Sequence, residues 1–253
     1  MIVQKDYILS LAAEGKRKDG RAFDEFRPIE IEINPIPKAE GSARVRIGST
    51  DVIAGVKAEI GKPFSDKPSE GVLMVSAELS PIAFPDFETG PPREDAIELA
   101  RVVDRGIRES KTIDTAKLCI TPKEKVWMIC IDAQIVNHAG NLIDAYSLAS
   151  MAALSNSKMP TYDGEKIDYK KPAGPLLLDS KPVTVTVYKI GGQLMVDPTW
   201  EEETASEARL TAATTEDGFV TALQKGGSPL TLEEIEKAIS ISLEKGKELR
   251  KLL

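Results

Sequence analysis

At 253 residues, 42% of them hydrophobic and 29% charged, the chain is long enough to bury a substantial core as one large domain or as two small ones sharing an interface. No apolar run approaches the ~20 residues of a membrane span, and Met1 to Ser10 carries Lys5 and Asp6 where a secretory signal needs an unbroken apolar core, so a cytoplasmic protein with no membrane partner is expected. A formal net charge of −7 excludes a nucleic-acid coat protein with a broad basic face and confines any such contact to a local patch.

Met1 to Glu14 has helical spacing, with Ile2, Leu9, Ala12 and Ala13 apolar, and stops at Gly15, a common helix terminator. The basic run Lys16-Arg17-Lys18-Asp19-Gly20-Arg21 leads to Arg27-Pro28-Ile29-Glu30-Ile31-Glu32-Ile33, whose alternation describes a strand with one wet face. Ser42 to Gly48 and Val52 to Ala58, joined by a Gly-Ser-Thr-Asp turn, predict a hairpin. Val72 to Leu79 continues the sheet, and Pro81 to Pro92 is a proline-rich loop whose aromatics are Phe84 and Phe87.

A helix over Arg93 to Ser110 places Ala96, Ala100, Val103 and Ile107 on one apolar stripe. Arg101, Arg105 and Arg108 form a second stripe. A solvated face paired forward from Glu94 and Glu98 would explain it at ~0.2–0.5 kcal/mol per pair. Arg101 and Arg105, however, repel each other at i, i+4, and the bidentate fit of guanidinium to phosphate makes a phosphate backbone the competing partner.

Cys119 and Cys130 are too far apart for a Cys-x-x-Cys motif and too few for a disulfide framework, so buried reduced thiols are expected. Val126 to Ile131 reads as a central strand buried on both faces, with Trp127 in the core. The single histidine, His138, falls in an Asn-His-Ala-Gly-Asn turn, where a solvated loop residue is expected. Leu142 to Asn156 is a helix rich in Ala and Ser that can pack close to a sheet, and the polar Ser157 to Pro175 reads as a connection without periodicity.

The second half repeats the order of elements: Val183 to Tyr188 alternates, Gly191-Gly192 turns, and Gln193 to Asp197 returns. Asp197-Pro198-Thr199-Trp200-Glu201-Glu202-Glu203 follows as a dense acidic turn. Its plain reading is a solvated charge run; its chemical reading is a carboxylate site for Mg²⁺, with Arg209 standing where a further acid would help. Leu210 to Thr214 and Phe219 to Leu223 flank an Asp-Gly hairpin signal, and the Thr231-x-x-Glu234 capping box opens a terminal helix faced by Ile235, Ile239, Ser242, Gly246, Leu249 and Leu252. Strands followed by a helix, twice, predict an α+β pseudo-repeat.

Lys18-Asp19-Gly20-Arg21, Arg27-Pro28-Ile29, Glu40-Gly41-Ser42-Ala43, Ile97 to Ser110 and Glu124-Lys125-Val126-Trp127 together resemble the RNase PH superfamily over nearly the whole chain, and within it the non-catalytic RNase PH-like subunits of the archaeal RNA exosome ring. The resemblance implies an α+β fold of the ribosomal-protein-S5-domain-2-like kind, with residues 1–160 as a first half carrying the N-terminal helix and 161–253 as a second half carrying the C-terminal one. It implies a heterodimer with a catalytic RNase PH-like subunit, three heterodimers in a hexameric ring, RNA-binding cap subunits on one face and single-stranded RNA in the channel.

Catalytic members of the superfamily use Mg²⁺ and inorganic phosphate held by a Gly-Gly-Thr-Arg-like turn. By motif order Ala139-Gly140-Asn141-Leu142-Ile143 takes the place of that turn without arginine or hydroxyl, and Glu203 and Arg209 take the places of two catalytic-site aspartates, with Asp197 beside them. The resemblance therefore implies a chain with no catalytic residue and no cofactor of its own. Arg101, Arg105 and Arg108 are its candidate RNA contacts. The rival readings are an independent phosphorolytic exoribonuclease, its metal on Asp197 and Glu201 to Glu203, and a scaffold that touches only protein.

Overall fold

The computed structural model describes residues 2–253. The expected first helix starts at Met1, which lies outside the described residues; from Ile2 to Ala13 it is helix α1. The strands of the first sheet are β1 (Ile29–Ile33), β2 (Gly41–Ile47), β3 (Thr50–Gly61), β4 (Val72–Leu79), β5 (Cys119–Thr121) and β6 (Lys125–Asn137). Their order is β1-β2-β3-β6-β4, with β5 on the end of β6, and every pairing is antiparallel except β4 with β6. The parallel pair needs a crossover, and helix α2 (Glu94–Glu109) lies within it.

Helix α3 (Leu142–Ser155) follows β6 and is the centre of the molecule. Residues Ile143 to Leu154 are all buried, between β2 and β3 on one side and β9 (Val183–Ile190) on the other. Alanines at 145, 149, 152 and 153 let backbones approach from both directions. Strand β9 belongs to a second sheet of order β10-β9-β11-β12, with β10 (Gln193–Val196), β11 (Ala208–Thr214) and β12 (Val220–Gly227). Short α4 (Trp200–Ala205) links β10 to β11, and α5 (Leu232–Arg250), capped by Thr231 and Glu234, covers β9 and β11. The mixed α+β class read from the sequence is what the chain adopts.

Several expectations are corrected. Strand β6 is central, but its outer face is only partly buried; Trp127 is half-buried there, edge-on to Tyr162. Residues 158–175 are not a bare connection: β7 (Lys158–Tyr162) and β8 (Ile167–Pro175) form a hairpin, unreadable because both faces are largely exposed and no apolar alternation was needed. The alternating face of β9 is buried, since Thr184 bonds to Ser147 and Thr186 to Asp144 and Thr211. Cys130 is buried as expected, Cys119 only half so, and both are free thiols.

Candidate functional site

The acidic stretch is not a solvated turn. Thr199 and Glu202 form a capping box that turns Trp200 to Ala205 into helix α4, and each carboxylate already has a partner. Asp197 is fully buried. Arg27 holds it through Nη2 to Oδ1 at 2.7 Å, and through both Nε and its backbone N–H to Oδ2 at 2.8 Å. Arg21 Nη1 adds a bond at 3.0 Å and Asn141 Nδ2 another at 3.0 Å. Burial pushes this carboxyl up, but Arg27 outweighs it and holds the group below the usual carboxylate range.

Glu202 is caught by Arg17, whose side chain is fully buried: Nε donates to Oε1 at 3.0 Å and Nη2 to Oε2 at 2.6 Å. Arg17 also donates to the carbonyls of Val196 and Asp197 at 3.1 and 2.8 Å. Glu201 pairs at the surface with Lys18 at 3.0 Å. The basic segment after α1 is thus a clamp on the acidic loop.

Glu203 points to α3. Its Oε2 accepts the backbone N–H of Asn141 at 2.9 Å, and its Oε1 accepts the Tyr188 hydroxyl at 2.9 Å. Asn141 is the residue before α3, where free N–H groups attract an anion, so the chain's own carboxylate occupies that place. Burial drives the Glu203 carboxyl up, against these two bonds and the fields of Arg209 and Arg27. Arg209, on β11, donates from Nη2 to Glu98 Oε2 on α2 at 2.7 Å, and Gln224 Nε2 takes the other oxygen of Glu98 at 3.3 Å.

A cavity of about 390 Å³ opens beside Glu98, Glu203 and Arg209 and is walled by Phe84, Phe87 and His138. His138 is the clearest miss at this site. It stacks on Phe87 at 5.7 Å between centroids and meets Trp200 edge-on at 4.9 Å. Burial, then the Arg27 charge, pushes its pKa down to about 4, so it is a neutral wall residue rather than a solvated one.

The structure divides the arginine stripe. Arg108 is spoken for: it grips both oxygens of Asp104 at 3.0 and 2.6 Å and donates to the Leu73 carbonyl at 3.0 Å. Arg101 is exposed and Arg105 half-buried, and among the described residues neither has an ion pair or a side-chain hydrogen bond. The forward pairing of Glu98 along the helix does not form, because Arg209 and Gln224 hold that carboxylate.

Residues 25–160 match domain 1 of the 3′ exoribonuclease family, and residues 181–245 match its domain 2. The chain belongs to the 3′ exoribonuclease family, the RNase PH family. Relatives within it include proteins named exosome complex component Rrp42 from Methanosarcina acetivorans, 50% identical over 99% of this chain and 93% of that one, and from Thermoplasma acidophilum, 49% identical over 98% and 94%. The fold superposes on a chain of the Archaeoglobus fulgidus exosome with RNA bound to the active site, with a TM-score of 0.92, 44% identity and coverage of 98% and 97%. It also superposes on a chain of an archaeal exosome core at TM-score 0.87, 41% identity, and coverage of 98% and 95%.

In this RNase PH-family chain, sequence reading found the acids but missed what holds them. Asp144 accepts Thr186 N–H at 3.1 Å, Thr186 Oγ1 at 2.8 Å and Asn141 Nδ2 at 3.1 Å, so Asn141 bridges two buried carboxylates, Asp144 and Asp197. A signal existed: Asp144 is the one charged residue in an otherwise apolar and small helix. For Arg17 no local signal existed, since its partner Glu202 lies 185 positions away.

Proposed function

We propose that this chain is a non-catalytic subunit of an archaeal-type RNA exosome, paired with a catalytic RNase PH-like subunit in a hexameric ring that degrades RNA from its 3′ end by phosphorolysis. Its relatives of about half identity over nearly full length carry the exosome component name, which supports the assembly. The observation that carries the non-catalytic role is the position of Glu203, which fills the N-terminus of α3 with an internal anion while Arg209 stands beside it. A phosphate at that helix end would displace a bonded carboxylate. A divalent cation near Arg209 would meet several kcal/mol of repulsion at an effective dielectric of about 20. The residues present do not fit Mg²⁺ or phosphate, and both belong to the catalytic partner.

Arg101 and Arg105 contact the phosphates of single-stranded RNA across the interface with that partner, and clustered charge suffices for this although the chain is acidic. RNA-binding cap subunits sit on one face of the ring, and the assembly works in the cytoplasm. No helix among the described residues is long and apolar enough to cross a membrane. The independent-enzyme reading would need Asp197 and Glu201 to Glu203 to converge on a metal, yet Arg27, Lys18, Arg17 and Tyr188 draw them apart.

The test is phosphorolysis of uniformly labelled single-stranded RNA with Mg²⁺ and phosphate, read as release of nucleoside diphosphate. This chain alone should release none, and activity should appear or rise sharply when its catalytic relative is added. Turnover by the chain alone would overturn the assignment.

A further inference from the structure

Arg209 stands where catalytic relatives would carry a carboxylate, and its contact with Glu98 points to a gain as well as a loss. Glu98 lies on α2 three residues before Arg101, the spacing at which a carboxylate and a guanidinium on one helix meet. In this fold they do not meet. Arg209 Nη2 takes Glu98 Oε2 at 2.7 Å, Gln224 Nε2 takes Oε1 at 3.3 Å, and both come from the neighbouring strands β11 and β12. Seven residues after Arg101, Arg108 shows what the alternative looks like: Asp104 sits one turn earlier with no outside partner, and it captures the guanidinium with both oxygens.

We propose that Arg209 is a positioning residue for RNA binding: by drawing Glu98 onto the second sheet, it keeps Arg101 unpaired and its charge available to a phosphate. The inference rests on the reading of Arg101 and Arg105 as RNA contacts. The reversal from acid to base at this position then does two things with one side chain. It removes a metal ligand and it neutralises the one carboxylate able to compete for Arg101 from the preceding turn. Gln224 alone cannot do the second, because a neutral amide leaves the negative charge of Glu98 in place beside the phosphate path.

The experiment uses the complex assembled with the catalytic relative and measures its affinity for a fluorescent single-stranded oligoribonucleotide at low salt. Arg209→Gln should weaken binding about two- to fivefold, the range set by exposed ion pairs. Arg209→Lys, which keeps a cation for Glu98, should bind like the parent. Glu98→Gln combined with Arg209→Gln should restore the affinity, because no carboxylate is left to release. Failure of that double variant to restore binding would overturn the inference, since it would mean that Arg209 acts on RNA directly or through the fold. Arg101→Ala separates the two readings: if it leaves affinity unchanged, the RNA-contact reading itself falls, whereas weakening by Arg101→Ala but not by Arg209→Gln sinks only the role of Arg209. Size-exclusion profiles of each complex confirm that assembly is intact.

Discussion

Asp144 shows how a single buried group ties α3 to the second sheet. It receives three hydrogen bonds but no cation, and burial pushes its carboxyl from 3.8 up to about 7. Between those values the folded chain keeps a proton that the unfolded chain has released. Stability contributed by this group is therefore present at low pH and is lost as pH rises toward 7, by at most about 1.4 kcal/mol per unit. Asp144→Asn removes the titration, so the stability of the parent relative to the variant should be greater at pH 5 than at pH 8. Urea unfolding at both values measures it, and parallel curves would mean that Asp144 is already ionised in the fold. Residues of this kind were only partly legible. The unusual acid in α3 and the acidic run could be seen in the sequence, but their partners could not, because pairs such as Arg17 with Glu202 and Arg27 with Asp197 join segments that no local pattern connects.

Among elements, legibility followed the strength of the pattern. Helix α2 has an apolar stripe and helix α5 a capping box, and both were found within a residue or two. Helix α4 carries the same Thr-x-x-Glu signal at Thr199 and Glu202, but its six residues are too few to show a stripe, and three consecutive acids fit a solvated turn equally well. The turn before α3 was located in the sequence without the reason for its glycine. Gly140 has φ +98°, and a Cβ there would stand 2.4 Å from the Pro198 carbonyl oxygen, which is backbone and cannot give way. Gly20 also has positive φ, at +80°, yet has nothing within 4 Å. Gly20→Ala should cost roughly 1–2 kcal/mol for the left-handed backbone alone. Gly140→Ala should cost clearly more, because it also pushes the acidic loop off α3. Thermal unfolding of the two variants tests this, and equal losses would mean that the loop moves aside freely.

At the scale of the whole molecule, the proposed function asks a chain of net charge −7 to bind a polyanion, and the arrangement of its ion pairs sets which charges are free to do so. The buried Arg17 and the largely covered Arg21 and Arg27 are committed to internal carboxylates: Arg17 to Glu202, Arg27 and Arg21 to Asp197. On α2, Arg108 is committed as well, which leaves Arg101 and Arg105 as the free charges of the stripe. Each phosphate neutralised on a single strand contributes about 0.7 to the slope of log affinity against log salt. If Arg101 and Arg105 each hold one phosphate, replacing both by Ala should lower that slope by about 1.4 for every copy of this chain engaged with the strand. Arg108→Ala should leave it unchanged. Affinities of the assembled complex for single-stranded RNA, titrated between low and moderate salt, give the slopes directly. An equal drop for Arg108→Ala would show that this arginine leaves Asp104 when RNA arrives, and that the division of the stripe belongs only to the free chain. An unchanged slope for the double variant would return all three arginines to the role of a solvated face.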